Sequence, residues 1–284
     1  MVNGYEGYMS RFNPIPLLSA TFPTCLEQAK DALGGGALRN SSTIQFGFIA
    51  DLVDSLTMIR KHVFERRELT LSELVQMLDS NYEGHEIFRR KLWADREKFG
   101  NNKDVPDAFA VDIVNFIGDH LLGRPNARGG TWGYGFHIAR MSYTQGAKTA
   151  ASPNGRRLGE ELSKNCSASM GQNREGATAA ILSTTKIDAT LLTCDAALDL
   201  GLLPSAVKGD DGLEAMYGLL RTFAARGGHA LHINVFDADT LRDAQRHPEK
   251  YQDLQIRVSG WNVLWNNIAP VEQEGFIRQA ESLV

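Results

Sequence analysis

The sequence predicts an α/β protein, and three observations carry that prediction. Helix-period and strand-period segments alternate through the second half, as they do where helices wrap strands. The 284 residues are 43% hydrophobic and 23% charged, the composition of a folded globular chain. No fixed-period repeat or low-complexity tract points to a solenoid or a linker.

The first half reads as helix after helix. The apolar stretch IPLLSATFPTCLEQAKDAL enters a helix that should stop at Gly34, Gly35 and Gly36, a turn rather than a phosphate loop because no Gly-Lys-Ser/Thr follows. In FGFIADLVDSLTMIRKHVFERR, Phe48, Leu52, Leu56, Ile59 and Val63 recur at helical spacing. Thr70 is a candidate N-cap with Glu73 at the capping-box position for LSELVQMLDSNY. EIFRRKLWADREKF and DAFAVDIVNFIGDHLLG follow as two further helices, the second ending at Gly123.

The texture changes between residues 124 and 160, which become rich in Gly, Ser and Thr, with Pro153-Asn154-Gly155 as a turn. ATAAILSTTKI fits a helix start or a buried strand. GLEAMYGLLRTFAARGG is an amphipathic helix, HALHINVF alternates as a strand, and DADTLRDAQRHPEKY is a short capped helix stopped by Pro248. The terminal APVEQEGFIRQAESLV is a helix with Pro270 in its first turn.

Composition also excludes partners. The formal charge is −4 and no tract is rich in Lys and Arg, so no footprint for nucleic acid exists. No window approaches eighteen apolar residues and the N-terminus lacks a basic and apolar leader, so no membrane span is expected and a cytoplasmic location is. Cys25, Cys166 and Cys194 form no CxxC pair or metal-spaced cluster and read as reduced, buried thiols.

Gly260 stands between the strand-like Ile256-Arg257-Val258 and Trp261, where a packed strand avoids glycine. One reading is a bulge or tight turn that needs positive φ. The other is chemical. Removing a hydrogen atom from a glycine α-carbon leaves a radical delocalised over both adjoining amides, with no side chain to twist it, and a buried, dry loop would preserve it.

Four ordered stretches decide between these readings. IRVSGW, preceded by FDADTLRDAQRHPEKYQDL, TAASPNGRRLGEEL at 149 to 162, GGHALHINVF, and ADLVDSLTMIRKHVF together closely resemble the glycyl radical enzymes of the pyruvate formate-lyase superfamily. The resemblance covers essentially the whole chain. It implies the C-terminal part of a ten-stranded α/β barrel with a C-terminal glycyl radical loop and helix. Residues 1–155 would be the C-terminal part of the pyruvate formate-lyase-like domain and residues 156–284 the glycine radical domain. Gly260 would hold the radical, flanked by Arg257, Val258, Ser259 and Trp261. A cysteine on a second loop would become the reactive thiyl radical.

The family's Gly-Cys-Val/Ile-Glu or Cys-Cys loop is missing here. Cys25 in TCLE lacks the preceding glycine and sits in a segment like the one that follows the catalytic loop; Cys166 and Cys194 lack the motif too. The expectation is a radical-bearing C-terminal third that needs a missing N-terminal part carrying the catalytic cysteine and is poorly behaved alone. The alternative is a spare radical subunit that docks on a damaged lyase, against which residues 1 to 120 argue. The resemblance implies no bound organic cofactor. It implies a glycyl radical installed by a separate radical-SAM activating enzyme, since no CxxxCxxC motif is present. It also implies dioxygen cleavage at Gly260, an anaerobic setting, a small-molecule substrate and a homodimer of the full-length enzyme. Family reactions include formate C-acetyltransfer, diol dehydration, amine and sulfite elimination, arylacetate decarboxylation and fumarate addition. Trp261, where pyruvate formate-lyase has tyrosine, points away from that enzyme and toward a decarboxylase-like or uncharacterised branch.

Among other residues, His229 and His232 fall on opposite faces of their strand and read as structural histidines, with Asn234 on the face of His232. Arg156 and Arg157 read as solvated loop charge, or as an anion site or a carboxylate clamp holding the loop.

Overall fold

The computed structural model describes residues 2–138, 141–258 and 260–281. Its elements run α1 (Val2–Phe12), α2 (Pro16–Ser19), α3 (Pro23–Glu27), β1 (Ser42–Phe46), α4 (Ile49–Ile59), α5 (Leu71–Asp79), α6 (Glu86–Ala94), α7 (Asp104–Leu121), β2 (Trp132–Phe136) and α8 (Met141–Gly146). They continue with α9 (Gly176–Thr184), β3 (Ala197–Leu202), α10 (Gly209–Ala225), β4 (Ala230–Val235), α11 (Ala238–Arg246), β5 (Gln255–Val258), β6 (Trp261–Leu264) and α12 (Pro270–Glu281). The α/β expectation holds. The six strands among the described residues pair as β1 with β2, β3 with β4 and β5 with β6. No helix of the described residues is long and apolar enough to cross a membrane.

The chain divides into two compact units. The first comprises residues 1–45, 115–135 and 190–194. Here the expected single helix before the glycines is broken into α2, α3 and a 3-10 turn at Ala32–Gly34. The cause is local: Pro16 and Pro23 each start a short helix, and Asp31 accepts from Ile15 N and Ser19 Oγ, both at 2.9 Å, and from Leu33 N at 2.8 Å. Asp31 thereby pins the segment into a compact knot.

The second unit comprises residues 46–114, 136–189 and 195–284. Thr70 caps α5, and the reciprocal Glu73 contact completes the capping box. α4 departs from the apolar periodicity: Leu52 is 48% exposed, while the buried face carries Asp51, Asp54 and Thr57 beside Ile49, Val53 and Met58. Burial of those carboxylates is tolerated because each is bonded. Asp51 accepts from Ser163 N at 2.6 Å and Asn154 Nδ2 at 3.0 Å, and Asp54 accepts from Phe99 N at 2.8 Å and Ser169 Oγ at 3.0 Å. Beyond α4 the backbone widens into a π-helical stretch, Arg60–Glu65.

The ambiguous 177–187 segment is helical as far as Thr184, as α9. With α10 it packs Ala180, Ile181 and Phe223 on Leu198 and Leu200 of β3. β3 runs parallel to β4, with Asp199 opposite His232 and Gly201 opposite Asn234. The C-terminal residues form their own core, in which Leu241, Ile256, Trp265, Phe276 and Ile277 are all buried.

Candidate functional site

Val258 pairs with Trp261 across the antiparallel β5–β6 hairpin, and Gly260 directly precedes the returning strand. Tight hairpin connections favour positive φ, and Gly260 has φ +105. A Cβ at Gly260 would meet nothing within 4 Å. The backbone angle, not crowding, is what selects glycine here.

The expectation of a buried, dry loop is not met in this chain. Gly260 is exposed and Trp261 is 51% exposed, because the hairpin turns its inner residues, Ile256 and Trp265, into the C-terminal core and leaves its tip outside. Arg257 and Val258 are half-buried; Ser259 lies outside the described residues.

The hairpin hangs from its surroundings by few polar contacts. Asn234 on β4 donates through Nδ2 to Arg257 O at 3.0 Å and accepts from Arg257 N at 2.8 Å. At the far end, Trp265 N donates to Leu254 O at 2.7 Å, and Gln273 of α12 donates to Trp265 O at 3.0 Å. A cavity of about 230 Å³ lies beside the tip, lined in part by Val258, Trp261, Lys164, Glu161 and Phe276.

Glu161 and Lys164 were not singled out from the sequence. Glu161 accepts from Ser142 Oγ at 2.8 Å and pairs with Lys164 Nζ at 3.0 Å, while the same ammonium sits 4.6 Å from the Phe276 ring centre. A Cβ at Gly275 would come 2.5 Å from Glu161 Oε2. Helix α12 therefore approaches the acidic side chain across a bare glycine. Only the i, i+3 spacing of Glu161 and Lys164 hinted at a pair.

His232 is the structural histidine expected. Its Nδ1 lies 3.0 Å from Asp199 Oδ1, and Asp199 also accepts from Asn165 Nδ2 at 2.6 Å and Ser167 Oγ at 3.1 Å. Burial pushes the Asp199 carboxyl up, but the His232 hydrogen bond and charge, the Asn165 hydrogen bond and the Lys164 charge together hold it below its usual value. His137 and Asp195 form a second pair, close together beside the bridge from Phe136 to Ala196.

Arg156 corrects the solvated-charge reading, and it makes neither an anion site nor a carboxylate clamp. It is 1% exposed, and its guanidinium donates to the carbonyls of Thr149, Ala150, Arg157 and Glu160 and to Ser152 Oγ. The loop is wound round one side chain. Arg157 keeps the surface role, paired with Glu86.

Cys25 and Cys166 are buried as expected, and burial pushes the Cys166 thiol far up, away from thiolate character. Cys194 departs from that expectation: it is half-buried and accepts from Gln45 Nε2 at 2.6 Å. Among the described residues no group of three His, Cys, Asp or Glu side chains is placed to hold a metal.

Comparison with known proteins bears on this geometry. A family described as pyruvate formate lyase-like matches residues 1–143, and one described as glycine radical matches residues 162–266. Trans-4-hydroxy-L-proline dehydratase of Clostridioides difficile is 33% identical over 97% of this chain and 35% of its own length. (2S)-3-sulfopropanediol dehydratase of Klebsiella oxytoca is 28% identical over 94% of this chain and 33% of its own. The glycerol-bound B12-independent glycerol dehydratase of Clostridium butyricum superposes with a TM-score of 0.91 at 31% identity, over 98% of this chain and 35% of that one. The chain thus spans about a third of the length of the relatives it matches.

Proposed function

Because the chain belongs to the glycyl radical enzymes of the pyruvate formate-lyase superfamily, we propose that it is the radical-bearing part of such an enzyme, with Gly260 as the storage site. The observation that carries this reading is Gly260 at φ +105, a bare α-carbon before the returning strand of the β5–β6 hairpin, inside the segment matching the glycine radical family. A separate S-adenosylmethionine-dependent activase would remove one hydrogen atom from that carbon. The resulting Gly260 radical would take a hydrogen atom from a cysteine S–H, restoring the glycine and leaving a thiyl radical to attack substrate. The thiyl radical takes a hydrogen atom from substrate, and the product radical takes it back from the S–H. The thiyl radical so restored recovers the α-hydrogen of Gly260, which leaves the radical stored on glycine again.

The cysteine partner is assigned outside this chain. Cys166, in the same unit as Gly260, is 1% exposed and bonded through its backbone to Ala197, and neither Cys25 nor Cys194 carries the motif of a thiyl loop. The match of residues 1–143 to the pyruvate formate lyase-like family favours part of an enzyme over a spare radical subunit. Dehydratases among the relatives favour elimination of water from a small hydroxylated substrate ahead of the decarboxylase-like or uncharacterised branch to which Trp261 pointed, a decarboxylase being among the relatives too. The test is chemical. After anaerobic treatment with an activase and S-adenosylmethionine, admission of air should cut the backbone at Gly260, giving by mass spectrometry a fragment that ends at that position. An intact chain after activation of a control relative would overturn the reading.

A further inference from the structure

We propose that Asn234 is a positioning residue for the Gly260 hairpin, its carboxamide taking the place of the missing backbone ladder between β4 and β5. The proposal rests on the reading of Gly260 as the radical site. Among the described residues β4 pairs only with β3, and β5 only with β6, so no ladder joins the two sheets. Where a ladder would run, the Asn234 amide both donates to and accepts from Arg257. Those two bonds are complementary: turning the amide over would face donor to donor and acceptor to acceptor, so its orientation is fixed.

The position is suited to the task. Gly201, opposite Asn234 in the β3–β4 register, carries no side chain, and both residues line a small cavity under Arg257 and Val258. The hairpin's apolar contacts go to its own C-terminal core, made of residues 236 to 280 and separate from the β3–β4 core. Apolar packing thus settles the hairpin within its own module. The Asn234 clamp sets its height over the parallel sheet, three residues before Gly260.

The test uses the 284-residue chain and four variants. In Asn234→Leu, amide hydrogen exchange at Arg257 should speed up by about tenfold or more, because two hydrogen bonds to that residue are lost, while the melting temperature stays close to that of the parent. In Asn234→Asp the carboxylate still accepts from Arg257 N but faces the Arg257 carbonyl with a lone pair. Protection relative to intrinsic exchange should therefore fall at neutral pH and return below about pH 4, where a protonated carboxyl donates again. Among the described residues the charged or titratable groups around it are Lys164, Asp199 with its partner His232, and the Arg257 side chain, so Asp199→Asn and His232→Gln serve as the controls for their titration.

After activation, the glycyl radical signal of Asn234→Leu should be lower in yield and shorter in lifetime than that of the parent. Unchanged exchange at Arg257 overturns the clamp. Faster exchange with an unchanged radical overturns the positioning role. A parent that takes up no radical while the exchange effects appear removes the Gly260 reading and leaves the clamp standing, so the two failures are distinct.

Discussion

Replacing Arg156 should cost more stability than any other single exchange in the 149–162 loop. Its side chain supplies donors to four carbonyls and one hydroxyl, with the bonds to Arg157 O at 2.8 Å, Glu160 O at 2.9 Å and Thr149 O at 3.1 Å. In Arg156→Met the Arg157 carbonyl keeps the Glu160 N–H at 3.2 Å, while those of Thr149, Ala150 and Glu160 lose the guanidinium that fills the 1% exposed site. At about 1 kcal/mol for each carbonyl left without a donor, three of them give roughly 3 kcal/mol. That is a large share of the roughly 5–15 kcal/mol that stabilises a typical domain. Arg156→Lys, with three donors in place of five and no planar fork, should fall about midway. Urea unfolding followed by circular dichroism gives the values from midpoint and slope. If Arg156→Met unfolds within about 1 kcal/mol of the parent, the loop is not wound on this side chain and the reasoning fails.

Other outcomes follow from the same structure. Burial raises the Asp54 carboxyl from 3.8 to about 7, although the Lys98 charge opposes it, and burial lowers the Lys98 ammonium to about 8 against the pull of Asp54. The folded state therefore holds the Asp54 proton where the unfolded state has released it, and the stabilisation from that proton is lost as pH rises from about 4 to about 7. Asp54→Asn should gain on the parent across that window in paired urea titrations; a constant difference would contradict the assignment. Thr70→Ala removes the α5 capping box and should cost about 1 kcal/mol by the same assay, with a negligible change counting against the cap. Gly260→Ala forces a side chain into φ +105 and should cost about 1–2 kcal/mol from backbone strain alone, because no neighbour lies within 4 Å; a neutral exchange would mean that the turn relaxes freely.

What the sequence made legible was whatever has local causes. The Thr70–Glu73 box, the turn at Asn154-Gly155 and the helices that became α7, α10 and α11 depend on neighbours within a few residues. Arg156 was misjudged because its partners are backbone carbonyls, which no residue type marks. The face of α4 was misjudged because Asp51 and Asp54 count as surface signals until Ser163, Asn154 and Ser169 arrive from more than a hundred residues away. Short strands such as β1 and β3 escaped because a run of five or six residues carries little periodicity of its own. At the candidate site, Gly260 was visible through its flanking residues. Its exposure was not, since that depends on which side of the hairpin the C-terminal core takes up.

Electron paramagnetic resonance on the activated chain tests the central claim most directly. Anaerobic incubation with an activase and S-adenosylmethionine should give a doublet from the one remaining α-hydrogen, collapsing to a singlet in protein made with α-deuterated glycine and absent from Gly260→Ala. A doublet that survives in Gly260→Ala, or no radical under conditions that load a full-length relative, would contradict the account.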